Sequence, residues 1–230
     1  MGQGIIVIKF LDLREFKGRV FFTTDIHGHF DLLVEKMRDV GFCGDRDLLI
    51  LGGDSIDRGP CSEYVLDFID NEWVHSVRGN HEQLFIESYE EDFNEHTNVV
   101  RVFFQNGGEW VKQVHPDQLF EIYQKLKFLP LAIEIITPSE KIGVVHAECP
   151  FNDWDEFIKL DEESMYFQSG NIQWARTRYY YAISTPVSGI DRLMVGHNPT
   201  DSGEIEVLGN VHYCDLGSFF RNKISFVQLM

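Results

Sequence analysis

The sequence predicts a single α/β domain spanning residues 1–230, and three observations carry that reading. Short β-branched or aromatic runs alternate with amphipathic stretches, the pattern of strands interleaved with helices. No internal repeat, low-complexity tract or long linker divides the chain. Its 230 residues, 43% hydrophobic and 13% aromatic, supply the apolar material for one substantial core.

In chain order, Arg19–Thr24, Leu48–Leu51, Val74–Val77, Ile142–Val145 and Arg192–Val195 read as short buried strands. After the first, Phe30, Leu33, Val34, Met37 and Val40 recur at helical spacing and stop at Gly41, a residue suited to a helix C-terminus. A second helix is expected after Asp54–Pro60, with Val65, Leu66, Phe68 and Ile69 on its apolar face. A third starts near Asp117, just after Pro116, turns Leu119, Phe120, Tyr123 and Leu126 inward, and ends before Pro130. The acidic, aperiodic stretches Ser88–Asn98 and Phe151–Gly170 read as surface loops or insertions.

Charge and cysteine usage narrow the function classes. Twenty Lys+Arg against 37 Asp+Glu give a formal net charge of -17, which argues against a nucleic-acid backbone as partner. Any phosphate must then be attracted locally. Cys43, Cys61, Cys149 and Cys214 are scattered, with neither a zinc-knuckle pair nor a disulfide framework, and fit a reducing cytoplasm. No apolar run approaches membrane-spanning length, and Met1-Gly2-Gln3-Gly4-Ile5-Ile6 lacks the Ser or Thr of a myristoylation signal, so no membrane partner is expected.

Each predicted strand ends in a potential metal ligand: Asp25 with His27, Asp54, Asn80, His146 and His197. Beyond the carboxyl ends of strands in an α/β sheet, residues distant in sequence converge. Three imidazoles, two carboxylates and one amide form a mixed nitrogen and oxygen set suited to manganese, iron or zinc rather than calcium. Six ligands exceed one structural zinc site, whereas two ions sharing a bridging carboxylate account for all of them and clamp both oxygens of an in-line displacement. Gly28, Gly53, Gly59 and Gly79 let the backbone turn close to ions or phosphate. Arg58 and Arg78 adjoin two of the clusters, and a guanidinium fork is a bidentate holder of phosphate oxygens.

The ordered segments Asp25-Ile26-His27-Gly28, Gly53-Asp54-Ser55-Ile56-Asp57-Arg58-Gly59 and Arg78-Gly79-Asn80-His81-Glu82, with separated His146 and His197, resemble the phosphoprotein phosphatase family of calcineurin-like metallophosphoesterases. The similarity is to its bacteriophage lambda and bacterial branch, and it extends to Asn106-Gly107-Gly108, His146-Ala147-Glu148-Cys149-Pro150-Phe151 and Tyr213-Cys214-Asp215-Leu216-Gly217. That resemblance implies a fold of two packed mixed β-sheets flanked by helices. It also implies hydrolysis of phosphoserine and phosphothreonine, with phosphotyrosine open, by direct attack of a metal-bridging hydroxide, and a dependence on two divalent ions, manganese foremost. Carried over by the matching residues, Asp25, His27 and Asp54 hold one metal, and Asp54 bridges to a second held by Asn80, His146 and His197. His81 is the general acid and Asp57 its orienter, while Arg58 and Arg78 grip the phosphate. Trp174-Ala175-Arg176 resembles a segment that supplies a further phosphate-binding arginine, which points to Arg176 with Arg178 as rival. Thr24 departs from the family by standing where Gly is usual, and the eukaryotic Ser-Ala-Pro-Asn-Tyr segment is absent.

Simpler readings stand beside these. His81 and Asp57 could serve only to start a helix and cap it, and Arg176 could form a surface salt bridge. Cys149 is either redox-sensitive or a small buried residue after a strand. Tyr179, Tyr180 and Tyr181 line a groove or pack on a loop. The competing functions are a symmetrical diadenosine tetraphosphatase or other nucleotide phosphoesterase, against which Asp57 and Arg78 speak, and a metal scaffold without turnover.

Overall fold

The computed structural model describes residues 7–160, 164, 168, 170 and 172–230. Among these residues the strands are β1 (Ile8–Asp12), β2 (Val20–Thr23), β3 (Leu48–Leu51), β4 (Val74–Ser76), β5 (Ala132–Ile136), β6 (Lys141–Val145), β7 (Arg192–Val195), β8 (Glu206–Leu208), β9 (Val211–Tyr213) and β10 (Val227–Gln228). They form a six-stranded sheet of order β1-β5-β6-β7-β9-β8 and a four-stranded sheet of order β10-β2-β3-β4. Both sheets are mixed. β2, β3 and β4 run parallel with β10 antiparallel at the edge, while β6, β7 and β9 run parallel between antiparallel partners β5 and β8.

Side-chain alternation assembles the layers. Val20, Phe22 and Ile50 from one sheet meet Ile133, Ile135, Ile142, Val144 and Met194 from the other in a core between the sheets. The intervening Phe21, Leu49 and Leu51 face the helices on one outer side. Ala132, Val145, Leu193 and Val195 face Trp154, Phe157, Ile172 and Val187 on the other. The result is an α/β/β/α sandwich whose central strands are buried on both faces, which is why they read as unbroken apolar runs.

The helices are α1 (Phe30–Asp39), α2 (Leu66–Ile69), α3 (Asn80–Glu90), α4 (Asn98–Gln105), α5 (Pro116–Lys127), α6 (Trp154–Phe157), α7 (Thr177–Tyr180) and α8 (Ser218–Arg221). Several expectations need correction. Val34 on α1, Val40 just past its end and Phe120 on α5 are exposed; Val34 and Phe120 each follow a buried Leu33 or Leu119 directly and so point about 100° away from it. The helix after Pro60 is a 3-10 turn at Ser62–Tyr64 followed by the four residues of α2, only Val65 of its apolar face being fully buried. Ser88–Asn98 begins with the last turn of α3, and Ser88 is fully buried. Within Phe151–Gly170, Trp154 and Phe157 are core residues, with the Trp154 indole donating to the buried Glu134 carboxylate at 2.7 Å. The rest of that stretch lies partly outside the described residues.

Candidate active site

The residues that follow β2, β3, β4, β6 and β7 meet at one point, so that the carboxyl ends of both sheets supply a single site. The backbone there is unusual: Asp25, His27, Asp54 and His197 have φ of 50°, 48°, 53° and 63°, and Asp57 and Arg58 have 69° and 67°. Left-handed conformations cost non-glycine residues energy and persist where surrounding contacts fix them. Those contacts are visible. Asp25 N–H donates to Gly53 O at 3.1 Å, His27 N–H to Asp54 O at 3.0 Å and Gly28 N–H to Ser55 O at 2.9 Å, locking the loops after β2 and β3 together. Gly53, at φ 89°, is obligatory because a Cβ there would stand 2.8 Å from His146 Nδ1.

Two buried groups of potential ligands, His27–Asp54–His81 and Asp54–His146–His197, share Asp54. Hydrogen bonds assign the tautomers of His27 and His146. His27 Nδ1–H donates to Ile56 O at 3.0 Å, leaving an Nε2 lone pair 3.8 Å from Asp54 Oδ2. His146 Nδ1–H donates to Gly52 O at 2.8 Å, and its Nε2 lies 3.3 Å from Asp54 Oδ2 and 2.9 Å from Asn80 Oδ1. His197 Nε2 lies 3.2 Å from Trp174 O, and its Nδ1 lies 2.9 Å from Asn80 Oδ1. Nitrogen and oxygen ligand atoms thus converge around Asp54 and Asn80, where a proton or a cation would bridge them.

The electrostatics agree. Burial lowers the pKa of His146, but the carboxylates of Asp54 and Asp25 outweigh it and raise the imidazole to about 10. Burial, His146 and Arg176 push His197 down to about 3, and burial with the neighbouring His81 holds His27 well below its ordinary value. Burial opposes ionisation of Asp54, yet His146 and His81 keep it well below the usual carboxylate range. This donor set fits divalent cations, which would replace the proton on His146 and take the place of the Arg58 N–H at His27 Nε2.

The other predicted residues are placed as follows. Asp25 belongs to neither three-residue group; its carboxylate accepts the Thr24 hydroxyl at 2.6 Å and the His197 backbone N–H at 3.0 Å. Burial and the nearby Asp215 raise its pKa well above normal. Thr24, the departure from the family pattern, thus orients a ligand candidate. His81 opens α3, donates from Nδ1 to Asp57 Oδ2 at 2.7 Å, and leaves a buried Nε2 with no hydrogen-bond partner among the described residues, 3.8 Å from Asp54 Oδ2. Asp57 is fully buried, and burial raises its pKa.

The arginines differ. Arg58 is exposed, its guanidinium 4.6 Å from the Phe219 ring centroid, with Nη1 donating to His27 Nε2 at 2.9 Å. Arg78 is buried and lines a cavity of about 290 Å³ with Gln83, Glu87, Gln173 and Trp174, without a hydrogen bond to the ligand groups among the described residues. Arg176 is half-buried and near enough to His197 to depress its pKa. Its rival Arg178 is committed elsewhere, donating to Asn152 Oδ1 at 2.6 Å and to Thr185 O.

Sequence reasoning missed four contributors. Glu82 accepts the backbone N–H groups of Gly79, Asp54 and Ser55 at 2.8, 2.9 and 2.7 Å, and its place three residues into α3 was a signal for such a capping role. Trp110, Phe219 and the buried Asp215 carry no local signal that separates them from core residues. Burial pushes the Cys149 thiol up to about 12, against the redox reading. Tyr179 packs on Tyr213, with ring centroids 4.9 Å apart, whereas Tyr180 and Tyr181 are exposed.

A two-sheet sandwich with a shared carboxylate between two histidine groups defines a metal-dependent phosphoesterase, a hydrolase built around a dinuclear divalent centre. The chain belongs to the calcineurin-like phosphoesterase family, which matches residues 18–226. It is 29% identical to serine/threonine-protein phosphatase 2 of Salmonella typhimurium across 97% of this chain and 99% of that one. Identity to serine/threonine-protein phosphatase 2 of Escherichia coli is also 29%, across 89% and 90%. A solved putative diadenosine tetraphosphatase shares the fold, with a TM-score of 0.61 at 19% identity over 96% of this chain and 97% of that one.

Proposed function

We propose that this protein is a manganese-dependent serine/threonine protein phosphatase that hydrolyses phosphomonoesters on proteins or peptides. Asp25, His27 and Asp54 would hold one divalent ion, and Asp54, Asn80, His146 and His197 the other. When bound, the pair supplies the hydroxide nucleophile and neutralises charge on the phosphoryl oxygens. The chain's own residues do the rest. Arg58, lying on the Phe219 ring, Arg78 and Arg176 hold the phosphate oxygens. His81 delivers a proton from Nε2 to the departing oxygen, and Asp57 keeps the Nδ1 proton in place so that Nε2 remains the working nitrogen. The observation that carries the reading is Asp54 shared between two histidine groups, with a buried His81 Nε2 that has no hydrogen-bond partner among the described residues lying 3.8 Å from it. The 29% identity over 97% and 89% of this chain to two proteins named serine/threonine-protein phosphatases supports the substrate class. A cytoplasmic setting belongs to this reading: all four cysteines are free, and no helix among the described residues is long and apolar enough to cross a membrane.

The test loads metal-stripped protein with manganese, iron, zinc, magnesium or calcium and compares phosphoserine, phosphothreonine and phosphotyrosine peptides with diadenosine tetraphosphate. The expected outcome is preferred turnover of the serine and threonine phosphopeptides, restored better by manganese than by magnesium or calcium, because imidazole-rich sites favour transition ions. Preferred symmetrical cleavage of the dinucleotide would establish the alternative. Full activity in protein verified to be metal-free would end the two-metal reading.

A further inference from the structure

The carboxylate that holds His81 has two oxygens, and the second one is also occupied. Trp110, 53 residues further along the chain, donates its indole Nε1–H to Asp57 Oδ1 at 2.7 Å, while Asp57 Oδ2 faces His81 Nδ1 at the same distance. From this geometry we infer that Trp110 is a positioning residue for the His81–Asp57 pair, an inference that rests on the general-acid reading of His81.

The backbone that carries Trp110 and one ring stack fix the indole. Trp110 lies in a 3-10 segment, Gly108–Gln113, entered through Gly107 at φ 96°. Gly107 presses on the Asp57–Arg58 turn: its carbonyl accepts the Arg58 N–H at 3.3 Å, and a Cβ on it would stand 2.5 Å from Arg58 N. The indole ring then stacks on Phe85, with centroids 5.6 Å apart and planes 13° apart. Phe85 is fully buried on α3, one helical turn beyond His81. Trp110 thus bridges the helix that carries the acid and the carboxylate that orients it.

The physical need for such a bridge follows from the softness of a carboxylate torsion. The terminal torsion of Asp is broad, so one hydrogen bond leaves the carboxylate plane free to swing and the imidazole free to tilt with it. Donors on both oxygens fix the plane. A carboxylate is acceptor-only, and buried without its second donor it is left partly unsatisfied. Asp57 also receives help at its backbone, where its N–H donates to Ser62 Oγ at 2.8 Å, but that bond does not restrain the carboxylate.

The experiment compares Trp110→Phe, Asp57→Asn, the double variant and His81→Asn in metal-loaded protein, on a phosphoserine peptide and on para-nitrophenyl phosphate. Phe keeps an aromatic ring against Phe85 while removing the N–H together with part of the fused ring, so the stability of each variant is measured alongside. A serine alkoxide needs a proton on departure far more than nitrophenolate does. Trp110→Phe is expected to lower kcat on the phosphopeptide roughly tenfold, a fraction of what a general acid contributes, with KM and nitrophenyl phosphate turnover within about twofold. In the Asp57→Asn background it should cause no further loss, because the two residues act as one unit. Equal losses on the two substrates, no loss at all, or full additivity with Asp57→Asn would overturn the inference. His81→Asn separates the two ideas: if it discriminates between substrates and Trp110→Phe does not, only the role of Trp110 falls, whereas equal losses in His81→Asn remove the general acid and this inference with it. A second readout needs no Trp110 variant. The Trp110 indole proton resonance in nitrogen-15-labelled protein should move upfield in Asp57→Asn, where a neutral acceptor replaces a charged one, and an unmoved resonance would count against the bond.

Discussion

Two buried arginines show how differently one residue type serves this molecule. Arg178 donates to Asn152 and Thr185, and its backbone N–H donates to Glu148, so it ties loops together. Arg78 is also buried and, like Arg178, has an Nε without a hydrogen-bond partner among the described residues, but no guanidinium bond comparable to those of Arg178 is seen for it there, and burial lowers its pKa. Burial costs this guanidinium more than the nearby Glu82 and Glu87 carboxylates return, so an apolar side chain of similar length should cost little or nothing in stability. Arg78→Met should therefore leave the melting temperature unchanged or raise it, while weakening product inhibition by inorganic phosphate roughly ten- to hundredfold, the worth of hydrogen bonds to a charged group. Scanning fluorimetry, inhibition constants and elemental analysis for unchanged metal content check this. A lower melting temperature with unaltered phosphate inhibition would make Arg78 a structural residue instead. The candidate ligands were legible at this scale because each follows a strand. Their left-handed backbone was not, since Asp25, His27, Asp54 and His197 are not glycines and only the interlocked loops impose that conformation.

At the scale of elements, legibility followed burial. β2, β3 and β7 are apolar on both faces and stood out, whereas β5 hides behind Glu134, whose partners Trp154 and Lys141 come from elsewhere in the chain. α3 escaped notice because its first turn is made of site residues, Asn80, His81 and Glu82, so the polar motif interrupts the apolar periodicity. The junction of β2 with α1 offers a test of a tie that no motif announced. Arg19 donates to Val40 O and Gly41 O at the C-terminal end of α1 and to both carboxylate oxygens of the buried Asp47, which also accepts the Cys43 N–H. The Arg19 guanidinium first, and these amides, hold the Asp47 pKa down to about 2 from 3.8. A depressed carboxylate contributes stability that is present above its unfolded pKa and is lost as pH falls through its folded pKa. Asp47→Asn should cost about 2 kcal/mol at neutral pH, in the range for charge-assisted hydrogen bonds. The gap between variant and parent should close between about pH 4 and pH 2. Urea titrations across that window measure it, and a pH-independent difference would mean the carboxylate acts through packing or neutral hydrogen bonding.

For the whole molecule, the decisive quantity is charge concentrated at the centre. The chain carries a formal net charge of -17, and the carboxylates of Asp25, Asp54, Asp57, Glu82 and Asp215 are all buried around one site. Composition revealed the excess of negative charge but not its location, because the two sheets bring together strand ends up to 172 residues apart, as in the His197 N–H bond to Asp25. Carboxylates so close in a low-dielectric interior repel one another, and divalent cations bound there would relieve that repulsion. Folding and metal occupancy would then be linked. A ligand present at about a hundredfold excess over its Kd stabilises the folded state by roughly 2.7 kcal/mol. In a domain of this size each kcal/mol moves Tm by about 2–4 °C. Manganese added to stripped protein should then raise Tm by about 5–10 °C, and magnesium by less. His146→Ala should lose much of that rise, whereas Asp47→Asn, remote from the site, should keep all of it while starting from a lower Tm. Calorimetry with parallel elemental analysis decides the matter: an unchanged Tm at confirmed manganese occupancy would show that the buried carboxylates are balanced within the protein itself, and the linkage between metal and fold would be lost.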